Sequence, residues 1–159
     1  MTTTDEDTMH KLAKSTAKRI ADESASVQTL QVFGDELALD DLNEHDQAEV
    51  DAARDCLGLD PIEPDEPVTT GLQERLDENC YERPLSISRH GVNHGDGWIV
   101  EYVQIVLGTG GPHVEIRYYG DRAEVVAYGW LGADEARVDV DAEDVQLLHG
   151  VDHLMDGVL

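Results

Sequence analysis

The chain has 159 residues, of which 40% are hydrophobic, and it carries 35 acidic residues against 11 basic ones, for a formal charge of −24. This length and apolar content are sufficient for one hydrophobic core. Such a charge destabilises a compact state in dilute buffer through self-repulsion. At 1 M salt the Debye length is about 3 Å, so the repulsion between surface carboxylates is largely screened.

The acid-rich, lysine-poor composition is typical of proteins from salt-accumulating halophilic archaea, which predicts concentrated K⁺ or Na⁺ as the working solvent. The acidic composition of the chain then gives no information about its partners. The less favoured hypothesis is that the protein is acidic because it mimics DNA. No secretory segment and no run of 18 apolar residues is found, so we expect a soluble, cytoplasmic protein that binds no membrane. Cys56 and Cys80 lack zinc-type spacing, and we expect no disulfide and no cofactor.

The first predicted helix begins after Thr8 and presents its basic residues on one face, opposite an apolar side. At 100° per residue, Lys11, Lys14 and Lys18 share that face and Arg19 flanks it. A solvated face is the favoured interpretation. The alternative is a basic arm that contacts nucleic acid or another acidic surface. Four charges are too few for tight DNA binding in molar salt, so we consider nucleic acid an improbable partner.

An acidic region follows, with thirteen carboxylates and one arginine between residues 35 and 66. Within it, Asn43 is expected to cap a second helix that ends at Gly58. Pro61, Pro64 and Pro67 then favour an extended linker. We therefore divide the chain into an acidic helical extension (1–60), a Pro-rich linker (61–67) and a core domain (68–159).

The core domain is predicted to be an antiparallel meander of four or five strands. A short helix opens it near Thr70, and an alternating strand over residues 85–90 precedes a loop over 90–97. Two long strands, 98–107 and 113–118, are joined by a glycine turn, and strands over 123–131 and 136–140 follow. Asp141 is expected to cap a C-terminal helix that packs on the sheet. The predicted fold class is thus α+β, with a helical acidic N-terminal extension.

Three segments also resemble a known family: Cys80 to Ile87 (CYERPLSI), Thr109 to Arg117 (TGGPHVEIR) and Tyr128-Gly129-Trp130. They are similar to the "YG-PLSV", "LSTGGP" and "YQDW" elements of a family of small uncharacterised proteins in bacteria and their mobile elements. The similarity covers about Leu76 to Leu131 and departs at the last motif, which is shorter here. That family has no assigned activity, so the resemblance implies a fold and an origin in a mobile element but no chemistry.

No catalytic set is predicted from the sequence. His149 and His153, four residues apart, are candidates for a metal pair, but no third ligand is identifiable and we expect no metal site. The sequence places His90 and His94 in a loop some 30 Å from His113, at roughly 3.3 Å per strand residue, which argues against a histidine cluster. Candidate ligand or partner contacts are the glycine turn and three aromatic residues near it: Thr109, Gly110, Gly111, His113, Tyr119, Tyr128 and Trp130.

The sequence therefore predicts a non-enzymatic protein that binds another macromolecule, either a different protein or a second copy of itself. The observations behind this hypothesis are the lack of a catalytic set, the thin apolar stripe of the second helix and the aromatic sheet. The alternatives are a small-ligand or enzymatic site at the 109–113 turn and a protein that binds nucleic acid or mimics DNA.

Overall fold

A computed structural model describes residues 2–109, 112–129 and 134–156, with side chains from residue 6 onward. Five antiparallel strands form one sheet in sequential order. The strands are β1 (Ser86–Asn93), β2 (Trp98–Gly108), β3 (His113–Tyr118), β4 (Ala123–Tyr128) and β5 (Ala136–Val140). The predicted α+β class and the antiparallel meander are confirmed.

Four α-helices accompany the sheet: α1 (Thr2–Phe33), α2 (Glu44–Cys56), α3 (Leu72–Tyr81) and α4 (Ala142–His149). Helix α1 starts earlier than the expected cap at Thr8 and runs unbroken to Gly34, whose φ of 74° ends it. Serine weakens a helix when its hydroxyl competes for backbone partners. Here the Ser24 hydroxyl donates to Asp144 Oδ1 at 2.7 Å instead, which ties α1 to α4.

One hydrophobic core joins the N-terminal helices to the sheet. Helix α1 packs on β4, β5 and α4, and α2 packs on α1. Val27 and Leu30 of α1 are fully buried in the same cluster as Ile105, Ile116 and Val125 of the sheet. The division into extension, linker and core stays a prediction about the sequence, but residues from both sides of the proposed linker build this core.

The Pro-rich segment is held against α2 by a buried arginine. Arg54 donates hydrogen bonds to the carbonyl oxygens of Asp60, Val68 and Thr70 at 2.6, 2.9 and 2.8 Å. Burial lowers the pKa of Arg54, although nearby carboxylates, of which Glu66 is the strongest, oppose this effect. The segment also pairs with the chain before α2, where the Val68 amide donates to the Leu37 carbonyl.

Strand β1 is longer than the sequence predicted, because it continues to Asn93 through residues that were expected to form a loop. Its pairing with β2 shifts by one residue between His90 and Gly91, which is a β-bulge. Gly91 permits this bulge, since a Cβ atom there would lie 2.2 Å from the Ile99 carbonyl oxygen.

Among the residues that the structure describes, no helix is both long and apolar enough to cross a membrane.

Candidate functional site

The sheet has a helix-covered face and an opposite face on which no described helix packs, which we call the open face. In antiparallel pairing, directly opposed residues lie on the same side of a sheet. The register places Ser88, Gln104, Arg117 and Glu124 in one row across four strands. A neighbouring row contains Val106, Glu115, Val126 and Arg137. The open face therefore carries charged and polar side chains beside the buried Val106 and Val126, in contrast with the largely aliphatic helix-covered face.

Glu115 is the centre of this face, and its side chain is fully buried although it alternates along β3 with Val114 and Ile116, which are buried on the other face. Its Oε2 accepts from Gln104 Nε2 at 2.8 Å and from Arg117 Nε at 3.1 Å. Its Oε1 lies 3.1 Å from His113 Nε2, and the Tyr128 hydroxyl also donates to the carboxylate. Two carboxylate oxygens offer about four acceptor sites, so these four donors saturate Glu115.

Glu115 is held ionised by these partners. Burial alone raises the pKa of a carboxyl group, but the hydrogen bonds from Arg117 and Gln104 and the charge of Arg117 outweigh it and lower the pKa of Glu115. Burial and the adjacent carboxylate raise the pKa of Tyr128, which therefore stays a neutral donor. A saturated, ionised carboxylate is a poor general acid or base.

The Glu115 carboxylate can only accept, and this determines the donor and the acceptor in the neighbouring hydrogen bonds of Gln104 and His90. Because Gln104 donates its amide to Glu115, its Oε1 faces the other way and accepts from His90 Nε2 at 2.9 Å. His90 must then carry its proton on Nε2, so that nitrogen cannot take a proton from the Ser88 hydroxyl 3.1 Å away. The pair of Ser88 and His90 thus does not form a nucleophile with its base.

At the end of the sheet where β3 turns into β4, aromatic rings and arginines stack in a continuous row. The His90 and Tyr102 rings lie 4.9 Å apart and nearly parallel, and Tyr119 follows at 5.4 Å. The Arg117 guanidinium lies 5.3 Å from the Tyr102 ring centre, and that of Arg122 lies 3.8 Å from the Tyr119 ring. We call these five residues the stacked row.

Other side chains of the open face are paired with one another, both at its far end and beside the stacked row. His113 stacks on Tyr128 with ring centres 4.3 Å apart. Glu124, which is almost fully buried, accepts from Tyr119 and from Arg137 at 3.1 and 2.8 Å. Burial and this carboxylate raise the pKa of Tyr119. Arg137 also pairs with Glu135, whereas no carboxylate of the described residues lies within 4.0 Å of Arg122.

The structure brings some of the sequence-predicted contact residues together and separates others. His113, Tyr119 and Tyr128 all belong to the open face, while Thr109 is exposed at the end of β2. Gly110, Gly111 and Trp130 lie outside the described residues. The sequence prediction of the open face was incomplete, since Glu115, Arg117, Gln104 and Arg122 were not singled out. For Glu115 and Arg117, the only signal in the sequence was their alternation with the apolar residues of β3.

The expectation that His90 and His113 form no cluster stays a prediction, but the loop position of His90 on which it rested was wrong. His90 lies on β1 opposite Tyr102, within the paired length of β2, and Gln104 and Glu115 connect it to His113. The error came from the loop expected over residues 90–97. His94 does lie in the turn after β1, where it is exposed.

The basic face of α1 is exposed, as the amphipathic pattern suggested. Lys11 pairs with Asp7 at 2.9 Å and Lys18 with Asp22 at 2.6 Å, each one helical turn away. The hydrogen bond and charge of Asp22 raise the pKa of Lys18. Lys14 and Arg19 lie on the same exposed surface. Two of the four cations are thus already paired within the helix, which makes this face less suitable for a polyanion.

His149 and His153 do not share a helical face, because α4 ends at His149 and Gly150 follows with a φ of 61°. The His149 Nδ1 atom lies 3.0 Å from the Asn79 carbonyl oxygen, which can only accept, so Nδ1 carries the proton. Burial lowers the pKa of His149. His153 is exposed on a following 3₁₀ turn. A spacing of four residues therefore gives no metal pair here.

None of five cavities found among the described residues is lined by Glu115, by His113 or by a residue of the stacked row, although one of them reaches Gly120 and Asp121 in the turn between Tyr119 and Arg122. The one nearest to β1 has a volume of about 350 Å³ and is lined by Cys80, Leu85, Ile87, His149 and Leu154 among others. Burial raises the pKa of Cys80, so this thiol is not an activated nucleophile. The open face is thus a surface without a described cavity, which suits a macromolecule better than a small ligand.

Comparisons with protein-family models, curated proteins and solved structures each gave no match. The family resemblance read from the sequence therefore stays a prediction.

Proposed function

We propose that this protein is a non-enzymatic interaction module that binds a partner protein through the open face. The partner would present carboxylate groups to Arg117 and Arg122, the two arginines of the stacked row. The observation that carries the proposal is the stacking of these arginines on tyrosine rings, which holds their guanidinium groups in place. Tyrosine and arginine are the residue types most enriched at the energetic centres of protein interfaces.

The hydrogen bonds of these arginines support the same proposal. Arg117 uses Nε for Glu115, and among the described residues its two terminal nitrogens have no hydrogen-bond acceptor, although its side chain is only 18% exposed. Arg122 is exposed and has no ion pair with a described residue. Guanidinium groups pair with carboxylates through two parallel hydrogen bonds. Stacking also lowers the entropy lost when such an arginine becomes fixed on binding.

The distribution of charge supports the open face, more than the rest of the surface, as the binding site for a partner. The open face and the residues paired with it contain three arginines (Arg117, Arg122, Arg137) and four carboxylates (Glu115, Glu124, Glu135, Asp139). It is thus nearly balanced in a chain of formal charge −24. A face with little net charge repels an acidic partner less than the rest of this acidic surface does.

The alternatives have less support. A single-stranded nucleic acid would need ring faces on which to stack its bases, but Tyr102 and Tyr128 already stack on histidines. An enzymatic site at the 109–113 turn would need a pocket and a free base. The composition supports a cytoplasmic role in concentrated salt, and the family resemblance supports an accessory protein of mobile-element origin.

Site-directed photo-crosslinking in the native host tests the proposal. A benzophenone amino acid replaces Asp139, an exposed residue of the open face that makes no contact with the Glu115 network. The control replaces Val32, which is 82% exposed on α1. We expect one protein to be cross-linked at residue 139 and not at residue 32. The cross-linked peptide of that protein should contain Asp or Glu, and the cross-link should be lost in the Arg122→Ala variant. Equal labelling at both positions, or links only to nucleic acid, would refute the proposal.

A further inference from the structure

The two edges of the sheet differ in their surroundings. Helix α1 packs along β5, whereas β1 pairs only with β2 among the residues that the structure describes. The outer side of β1 therefore presents backbone N–H and C=O groups, which are a template for pairing with another strand. Proteins usually cover or charge such an edge.

Strand β1 lacks the acidic residues that cover most of this chain. The eight residues Ser86–Asn93 include no Asp or Glu, although the chain contains 35 of them. Arg89 is the only residue of β1 with a permanent charge. Two copies of β1 could thus approach without repulsion between carboxylates on the strands themselves.

Exposed apolar residues lie at both ends of β1. Seven large hydrophobic residues are exposed among those described, and five of them lie beside this strand. Tyr81 and Leu85, which are 82% and 60% exposed, come just before it. Val92 lies at its other end with Ile99 and Trp98, the residues paired with Val92 and Asn93. At roughly 3.3 Å per residue, about 26 Å of strand separates the two groups.

We propose that two copies of this chain pair through their β1 edges, antiparallel, about a two-fold axis near Arg89, to form a ten-stranded sheet. Such an axis places the Leu85 end of each β1 strand beside the Val92 end of the other, so the exposed apolar groups at the two ends of the strand come close to each other at both ends of the paired edge. The two open faces then lie side by side in one continuous sheet. This inference goes beyond the proposed function and does not depend on it.

Charge predicts how the dimer responds to salt. The two Arg89 side chains come close at the axis, and each copy has a formal charge of −24. Both effects are repulsive and are screened in concentrated salt, since the Debye length falls from about 10 Å at 0.1 M to about 3 Å at 1 M. The dimer should therefore be tighter in molar KCl than in dilute buffer.

Sedimentation equilibrium of the full chain tests the inference, at about 5 to 500 μM in about 2 M and 0.1 M KCl, which differ strongly in screening. We expect a dimer whose Kd is lower in 2 M KCl. Leu85→Asp and Val92→Asp, both at exposed sites, should each raise Kd at least about ten-fold, equivalent to 1.4 kcal/mol. Val32→Asp, at an exposed apolar site on α1, is the matched control and should leave Kd within about two-fold.

Hydrogen exchange on the same samples provides a second measurement. The amides of β1 that do not pair with β2 should exchange more slowly at 500 μM than at 5 μM in the parent chain and not in Leu85→Asp. A monomer at every concentration in 2 M KCl would overturn the inference. So would a dimer that Val32→Asp weakens as much as Leu85→Asp does. A dimer lost only with Arg122→Ala would also overturn it, since the second copy would then occupy the open face.

Discussion

The Gln104 amide donates to the Glu115 carboxylate across β2 and β3, with 2.8 Å between Nε2 and Oε2. This contact fixes which way Gln104 points, and Gln104 in turn fixes the protonated nitrogen of His90. The His90 ring then stacks on Tyr102, the first tyrosine of the stacked row. A buried carboxylate on β3 thus orients side chains on β1 and β2 that it does not touch.

Glu115→Gln is expected to destabilise the protein by about 3 kcal/mol, the usual cost of leaving a buried partner charge uncompensated. The new amide would place a donor against four donors that now point at the carboxylate. Urea denaturation in molar KCl measures the free energy of unfolding. Glu101→Gln, at an exposed position of β2, is the matched control and should change it by less than about 0.5 kcal/mol. Equal effects of the two variants would show that Glu115 is not the centre of the network.

The stabilisation by Glu115 should disappear in acid. Its pKa is lower in the folded protein than in the unfolded chain, where a glutamate titrates near about 4.3. The contribution is therefore complete above the unfolded value and is lost as the pH falls through the folded one. The difference in unfolding free energy between the parent and Glu115→Gln should shrink below about pH 4. A difference that is constant or grows in acid would contradict this assignment.

Gly91→Ala should destabilise the protein by about 1–3 kcal/mol, the range for overpacking a closely packed site. The added methyl group would lie 2.2 Å from the Ile99 carbonyl oxygen, so the bulge between β1 and β2 must open. Gly108→Ala on β2 is the control, because no heavy atom lies within 4 Å of a Cβ atom there. Thermal unfolding compares the two variants. A Gly91→Ala protein as stable as Gly108→Ala would mean that the bulge is not as described.

Local signals in the sequence predicted the elements of this fold well. Asn43 caps α2 by accepting from the Asp46 amide at 2.8 Å, and Asp141 caps α4 by accepting from the Glu143 amide at 2.9 Å. Gly58 and Gly150 follow the helix ends with positive φ values. These signals act within a few residues, so a single sequence contains them.

The candidate site depends on contacts that local patterns do not contain. Alternation in β3 placed Glu115 on the side opposite to Ile116, but its burial results from neighbours on β2 and β4. The position of His90 depends on the register with β2, and the bulge at Gly91 alters that register. Side chains from four strands therefore meet in a way that only the assembled sheet determines.

The predicted core domain, residues 68–159, should not fold cooperatively on its own. It would lose Val27, Leu30, Ile20 and Ala13 of α1, which are almost or fully buried in the common core. Burying a large aliphatic side chain contributes about 1.5–3 kcal/mol. Several such losses approach the total stability of about 5–15 kcal/mol. Calorimetry of the fragment against the full chain is the measurement, and a sharp unfolding transition of the fragment would establish it as an independent domain.

The open face as a partner-binding surface is the central claim, and the affinity of Arg122→Ala for the cross-linked partner tests it most directly. Isothermal titration in molar KCl would compare it with Arg83→Ala, which removes an exposed arginine that precedes β1 and pairs with Glu78. Truncating a central interface arginine costs about 2 kcal/mol or more, so we predict a Kd at least ten-fold higher for Arg122→Ala and unchanged for Arg83→Ala. Equal affinities of both variants and the parent chain would contradict the claim.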